Sequence, residues 1–199
     1  MSLRLERAIS QARENDSKPR IHPNGFIQLD LAQRHRLHIW QDDVELPRPR
    51  VDMPIHDHPF SFRSKVLAGI LTNVVHRPEA DTGGAYHVYS IVPYVTSSRQ
   101  SPFERSDDHR WHFEQSEQTV SHPGQHYNFA AGRFHTTLAE GLTATVIRIG
   151  TFNPAARSRV ACPIDRQPDP TFKRDCLEES ILWNVIHCLP DAAQAMEID

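Results

Sequence analysis

The chain has 199 residues, with 22 Lys and Arg against 25 Asp and Glu, and a formal net charge of −3 when its histidines are neutral. This length suits one domain with a single core, and the 38% hydrophobic content argues against collagen, coiled coil and wholesale disorder. Nucleic acid is not an expected partner, because nucleic-acid-binding proteins usually present a strongly basic surface. Thirteen histidines are the unusual feature of the composition, and histidine is the commonest metal ligand in proteins.

The sequence pattern predicts a cytoplasmic protein with no membrane partner. No apolar run approaches the roughly 18 residues of a membrane span, and the first residues have no hydrophobic signal-peptide core. The three cysteines, Cys162, Cys176 and Cys188, form no Cys-x-x-Cys pair. We therefore expect reduced thiols rather than disulfides or a cysteine zinc site.

The predicted elements are a helix at each end of the chain and many short strands between them. Apolar residues recur at three- and four-residue spacing in residues 1–16, which predicts an amphipathic helix packed on the outside of the domain. Residues 26–152 contain short β-branched and aromatic segments separated by Gly, Pro and Asn, a pattern typical of a sandwich or barrel. Residues 172–190 predict the second helix. Residues 1–199 are predicted to form one domain.

Three histidines have the spacing of a metal site. His56 and His58 are two residues apart, so on a strand their side chains point to the same face and can converge on one ion. A third candidate, His135, follows a glycine-containing turn at the start of another strand-like segment. Imidazole nitrogens suit zinc, copper, nickel and ferrous iron, and a three-His site with open positions would be catalytic rather than structural.

This spacing resembles the two motifs of the cupin superfamily, G-x5-H-x-H-x3,4-E-x6-G and G-x5-P-x-G-x2-H-x3-N. The positions that match are His56, His58, Gly69, Gly124, Gly132 and His135, and those that depart are Arg50, Phe62, Ala130 and Ala139. The resemblance covers roughly residues 50–140. It implies an all-β fold, a cupin jelly-roll (double-stranded β-helix) barrel with short N-terminal and C-terminal helices, and a metal ion bound by the three histidines.

Phe62 occupies the position of the family's Glu ligand, and phenylalanine cannot coordinate a metal. If a metal binds, its protein ligands are therefore three neutral imidazoles. Among cupins this ligand set is similar to that of cysteine dioxygenase and other thiol dioxygenases. The resemblance implies a divalent metal, Fe(II) before zinc, nickel or manganese. The alternative is that the carboxylate was lost because the site no longer holds a metal tightly.

Arg148, Tyr86 and His87 are the predicted catalytic residues. If Ala144, Val146 and Arg148 face the barrel interior, the guanidinium could hold a substrate carboxylate beside the metal. The alternative place for Arg148 is the outer surface or the rim. Tyr86 is predicted because thiol dioxygenases use a tyrosine near the metal.

His87 is predicted to be a base close to the metal ligands. Other side chains could take these two roles, since the strand parity is unknown: Tyr89, Tyr127, His112 and His126. The alternative for all of them is an ordinary place in the core or on the surface.

These observations predict an Fe(II) three-His dioxygenase-like enzyme, an oxidoreductase that acts on a small polar substrate carrying a thiol or a carboxylate. Two alternatives stay open. One is a cupin-type isomerase or hydrolase whose metal polarises a carbonyl. The other is a non-catalytic cupin that binds a small molecule. The terminal helices and barrel edges would also allow a homodimer.

Overall fold

The fold was analysed in a computed structural model, which describes residues 3–41, 53–92, 100–168, 171–173, 178–187 and 197–198. The helices are α1 (Leu5–Glu14) and α2 (Glu179–His187). The strands are β1 (Leu3–Arg4), β2 (Arg20–His22), β3 (Phe26–Asp30), β4 (His35–Trp40), β5 (Phe60–Ala80), β6 (Tyr86–Ile91), β7 (Gln100–Arg105), β8 (Trp111–Ser121), β9 (His126–Phe129), β10 (His135–Phe152), β11 (Arg159–Pro163), β12 (Thr171–Lys173) and β13 (Glu197–Ile198).

Eleven of these strands form one antiparallel sheet, in which the main order is β12-β7-β6-β8-β5-β10-β4-β3-β2. Strand β9 pairs with β5, strand β11 pairs with β6, and β1 and β13 form a separate pair. The first half of β5 lies between β9 and β10, whereas its second half lies between β8 and β10. The two long central strands therefore belong to both halves of the sheet.

The sheet curls where β5 and β10 change register. Their pairing is interrupted between Glu140 and Ala144, opposite Gly69 on β5. Gly69 has a φ of +73°, a conformation that only glycine adopts without strain. A Cβ atom at this position would lie 2.6 Å from the carbonyl oxygen of Leu142 and even closer to the side chain of Thr143. Glycine thus allows the two long strands to cross closely at the bend.

The two faces of the sheet differ in what covers them. One face packs against both helices and contributes the fully buried side chains Ile27, Leu29, Leu37 and Ile39 to the largest core cluster. That cluster also contains Ala8, Ile9, Ala12, Leu182, Val185 and Ile186 from the helices. The opposite face is concave. Because side chains alternate along a strand, Arg36, His38 and Trp40 of β4 lie on this concave face, and each is half-buried.

The predicted all-β fold class, with a curled antiparallel sheet and a short helix near each end, is confirmed. The helices lie within the predicted ranges 1–16 and 172–190. Strands β2, β11 and β12 also join the sheet, although they fall outside residues 26–152. Of the three cysteines, Cys162 is described and is a buried free thiol, while Cys176 and Cys188 lie outside the described residues, as does Arg50. No helix in the described ranges is long and apolar enough to cross a membrane.

The bend at Gly69 leads to a stability prediction. Gly69→Ala should destabilise the protein by about 2–4 kcal/mol, because it combines positive-φ strain with overpacking against β10. Gly141→Ala is the matched control, since Gly141 also has a positive φ (+58°), but apart from its two chain neighbours no residue has an atom within 4 Å of the point that its Cβ would occupy. The control should lose only about 1 kcal/mol. Urea unfolding of both variants measures the difference, and equal losses would contradict the close crossing.

Candidate metal centre

The backbone of His56 is clamped between two strands. The His56 N–H donates to the carbonyl of His135 at 3.0 Å, and the His135 N–H donates back to the carbonyl of His56 at 2.8 Å. On its other side, His56 forms a bridge with Val160 of β11. The Asp57 N–H donates to the carbonyl of Arg159 at 2.9 Å. These bonds hold the His-x-His segment next to the start of β10, so the third histidine lies beside the first two.

The side chains of His56, His58 and His135 converge. Each offers one ring nitrogen, and these three atoms lie within 4.8 Å of one another. The ring centroids are 5.0 Å apart for His56 and His58, 4.5 Å for His56 and His135, and 5.3 Å for His58 and His135. Three imidazoles at this spacing can bind a single ion.

Two of the rings are oriented by backbone carbonyls. The Nδ1 of His56 lies 2.8 Å from the carbonyl oxygen of Pro54, and the Nδ1 of His135 lies 3.0 Å from that of Arg133. A carbonyl oxygen can only accept, so Nδ1 carries the proton and donates in both cases. The Nε2 atom of each ring is left with its lone pair, which is the form that binds a metal.

Burial keeps the three imidazoles neutral. Desolvation is the largest cause in each case, and it lowers the pKa of His56 and places the pKa values of His58 and His135 well below 6.5. The neighbouring histidines add to the lowering at His58 and His135, because their positive charges would repel one another. At neutral pH the cluster therefore presents neutral imidazoles, and protons need not be displaced before a metal binds.

The donor set fits a first-row divalent metal with open coordination positions. Within the described ranges, this is the one group of His, Cys or carboxylate side chains close enough to hold an ion, and no carboxylate belongs to it. Phe62 lies beside the cluster instead, and its ring is 5.6 Å from that of His58 and 6.1 Å from that of His135.

Aromatic rings surround the cluster and limit the access of water. Phe129 stacks on His135 at a centroid distance of 4.2 Å, and Phe60 stacks on His58 at 5.0 Å. Behind them lies Tyr127, whose ring is 6.2 Å from that of Phe62. Burial raises the pKa of Tyr127 to about 12, despite smaller opposing effects of nearby hydroxyl groups. Tyr127 is therefore a neutral phenol at neutral pH.

Asp57 ties the His-x-His segment to β11. Its side chain is 1% exposed and accepts three hydrogen bonds from Arg159, which come from the backbone N at 2.7 Å, Nε at 2.8 Å and Nη2 at 2.5 Å. The same guanidinium lies 4.8 Å from the ring centroid of Phe134, next to His135 in the chain. One ion pair thus fixes the segment between two metal-ligand candidates.

Of the two positions left open for Arg148, the structure shows the outer one. Ala144 and Val146, which share its face of β10, belong to the core cluster under the helices. Arg148 is exposed on that same outer side. The concave face of β10 carries instead Thr145 and Ile147, which pair with Val66 and Ser64 of β5. Arg148 is therefore not placed to hold a substrate beside the histidines.

Tyr86 and His87 also lie away from the three imidazoles. Tyr86 packs edge-on against Phe113 at 5.5 Å, in a separate core cluster that contains Ile55 and Phe134. Ile55 and Phe134 directly precede His56 and His135, so their side chains point to the opposite face of the sheet. His87 contacts Arg105 at 2.9 Å on an exposed part of the sheet. The structure gives neither residue a contact with the metal-ligand candidates.

Sequence reasoning missed several side chains near the cluster. The Asn24 amide lies 3.4 Å from Nδ1 of His56, while His22 and His38 are close enough for their charges to lower the pKa of His58. The pKa of His38 itself falls to about 3, first because of burial and then because of Arg36 and His56. The sequence signal for His38 was its alternation with Leu37 and Ile39, because this places His38 on the face of β4 opposite to the one that these two core residues occupy.

No protein-family model matches the sequence, and neither does any curated protein. Among solved structures, the chain is similar to the crystal structure of hydroquinone 1,2-dioxygenase from Sphingomonas sp. TTNP3 with 4-hydroxybenzoate bound. The two are 10% identical, with a TM-score of 0.29, and the match covers 60% of this chain and 61% of that one. At these values the likeness assigns neither family nor activity to this chain.

Removing the Asp57 carboxylate should disturb both the fold and the metal site. Asp57→Ala breaks three hydrogen bonds to Arg159, and we expect a loss of about 2 kcal/mol in unfolding free energy and of about tenfold in zinc affinity. Arg157→Ala is the matched control. Arg157 lies two residues before Arg159 and forms an exposed ion pair with Glu104, so its removal should cost under about 1 kcal/mol in unfolding free energy. Urea unfolding and competitive zinc titration measure both effects. Unchanged zinc affinity in Asp57→Ala would mean that the pair does not position the histidines.

The buried imidazoles predict a stability that falls with acid. Their folded-state pKa values lie below the unfolded value of about 6.5, so the unfolded chain takes up protons first. Stability is fully present above about pH 6.5 and is lost below it, by about 1.4 kcal/mol per pH unit for each such histidine. Urea unfolding of chelator-treated protein between pH 7.5 and 5.5 should therefore give a slope of more than one proton. His112→Gln, at an exposed position of β8, should leave that slope unchanged, and a pH-independent stability would contradict the burial of the cluster.

Proposed function

We propose that this protein is a metal-dependent oxygenase whose His56, His58 and His135 hold a ferrous ion, and that it acts on a small polar molecule. The observation that carries the proposal is the convergence of three neutral imidazoles within 4.8 Å, two of them oriented by backbone carbonyls. A three-His set without a carboxylate leaves coordination positions open for other ligands.

The bound ferrous ion would supply the redox chemistry that activates dioxygen. The chain's own part is to hold the imidazoles neutral by burial and to orient their Nε2 lone pairs. Phe62 and Phe129 exclude water from one side of the cluster, since they are 7% and 5% exposed. A drier site strengthens the electrostatic interactions inside it and suppresses side reactions.

The predicted thiol or carboxylate on the substrate is part of the proposal and rests on the sequence resemblance. Arg148 no longer supports a carboxylate, because it lies on the outer side of the sheet. Two arginines do face the concave side, Arg20 and Arg36, but both form ion pairs with Asp30. A thiolate bound directly to the metal would need no arginine.

A second candidate function is non-catalytic binding of a small molecule. Phe62 favours it, since the loss of the family's carboxylate ligand removes one metal contact from the site. Under this alternative the same concave face would bind its ligand with or without a metal. Metal content and oxygen uptake distinguish the two functions.

Elemental analysis of untagged protein tests the proposed oxygenase. We expect near-stoichiometric iron in the wild type, after anaerobic ferrous reconstitution where needed, and almost none in His56→Ala or His135→Ala, because each variant removes one of three ligands. His112→Ala is the matched control and should keep its iron. Iron-loaded protein should then consume oxygen with a small thiol or acid. A wild type that binds no metal would overturn the oxygenase and favour the binding protein.

A further inference from the structure

Four rings form a continuous wall on β2, β3 and β4. We call this the ring wall; its members are His22, Phe26, His38 and Trp40. Phe26 is the centre, with centroid distances of 4.2 Å to His22, 4.5 Å to His38 and 5.0 Å to Trp40. Phe26 is 6% exposed, whereas the other three rings are half-buried and present part of their surface to the concave side.

The ring wall lies beside the three-His cluster. Asn24, in the turn between β2 and β3, reaches to within 3.4 Å of Nδ1 of His56. His22 and His38 interact electrostatically with His58, and His56 interacts with His38. A molecule bound to a metal held by the three histidines would therefore contact the ring wall.

Uncharged polar groups accompany the rings. Nε2 of His38 is buried and has no hydrogen-bond partner among the described residues. Thr145 lies directly across from His38 in the β4–β10 register and is fully buried, and its hydroxyl interacts with that of Tyr127. Leaving the His38 nitrogen unpaired is costly, so a ligand or water that pairs with it is favoured.

We propose that the ring wall binds the part of the substrate that does not coordinate the proposed metal, and that this part is planar, with an apolar body that carries an uncharged hydroxyl or carbonyl oxygen. This inference rests on the proposed function for the place of the reaction. A flat ring can stack on the parts of His38 and Trp40 that face the concave side, which favours a planar ligand over a puckered one of equal size. The unpaired nitrogen of His38 can bond to the ligand's oxygen.

The uncharged character of this part of the ligand follows from the rings of the wall. Trp40 and Phe26 carry no charge, and the pKa of His38 falls to about 3, so its imidazole is neutral at neutral pH. Arg20 and Arg36 lie on the same concave face, and both form ion pairs with Asp30. The rings of Phe26, His38 and Trp40 themselves therefore offer no ionic partner for a carboxylate.

Phenol and cyclohexanol are the matched probes, because they share one hydroxyl and six carbons and differ in planarity. Ligand-detected NMR titration of metal-free and zinc-loaded protein should give a phenol affinity at least about fivefold higher than that of cyclohexanol, the effect of one good ring contact. Trp40→Leu should abolish this preference. Trp111→Leu, on the distant strand β8, should retain it.

His38→Phe keeps a ring in the wall and removes the nitrogen. This substitution should weaken the binding of phenol by about fivefold, the effect of one hydrogen bond, and leave the affinity for fluorobenzene unchanged. Equal affinities for phenol and cyclohexanol, or an unchanged preference in Trp40→Leu, would overturn the proposal, as would tighter binding of benzoate than of phenol. Failure of the oxygenase would appear separately, as phenol binding by the ring wall without metal retention or oxygen uptake.

Discussion

The reciprocal backbone hydrogen bonds between His56 and His135 are the constraint on which the rest of the site depends. They join a short segment before β5 to the start of β10, and the bridge to Val160 adds β11 on the other side. Metal binding needs three side chains from distant parts of the sequence at one point, and this backbone pairing brings them together. The Asp57–Arg159 ion pair then fixes the segment that contains the first two histidines.

The metal-ligand candidates could be predicted because their chemistry leaves a spacing in the sequence. Two histidines separated by one residue lie on the same face of a strand, whereas directly adjacent residues lie on opposite faces. The place of Phe62 beside the histidines could also be anticipated, because the motif resemblance puts this residue close to the predicted ligands. The glycine at the bend was marked by the same motif, although its close approach to Leu142 and Thr143 required the structure.

The place of Arg148 could not be predicted, because both faces of β10 are largely apolar. Ala144 and Val146 look like barrel-interior residues, yet the helices cover them, and the polar Thr145 lies on the concave face instead. A pattern of alternation identifies two faces but does not say which one a helix will cover. The ring wall could not be predicted for the same reason. His38 and Trp40 lie on the concave face because Leu37 and Ile39, which alternate with them, lie on the face that the helices cover.

The opposite roles of the two sheet faces have a consequence for how this protein could change over time. Odd and even positions of β4 have different roles: Leu37 and Ile39 stabilise the helix-covered core, while His38 and Trp40 line the concave face. Substitutions at the second set would alter the choice of a ligand bound at the proposed ring wall with little loss of folding free energy, whereas substitutions at the first set would act mainly on stability. Selection in a directed-evolution library could therefore randomise alternate residues of one strand and explore new specificities while the fold stays intact.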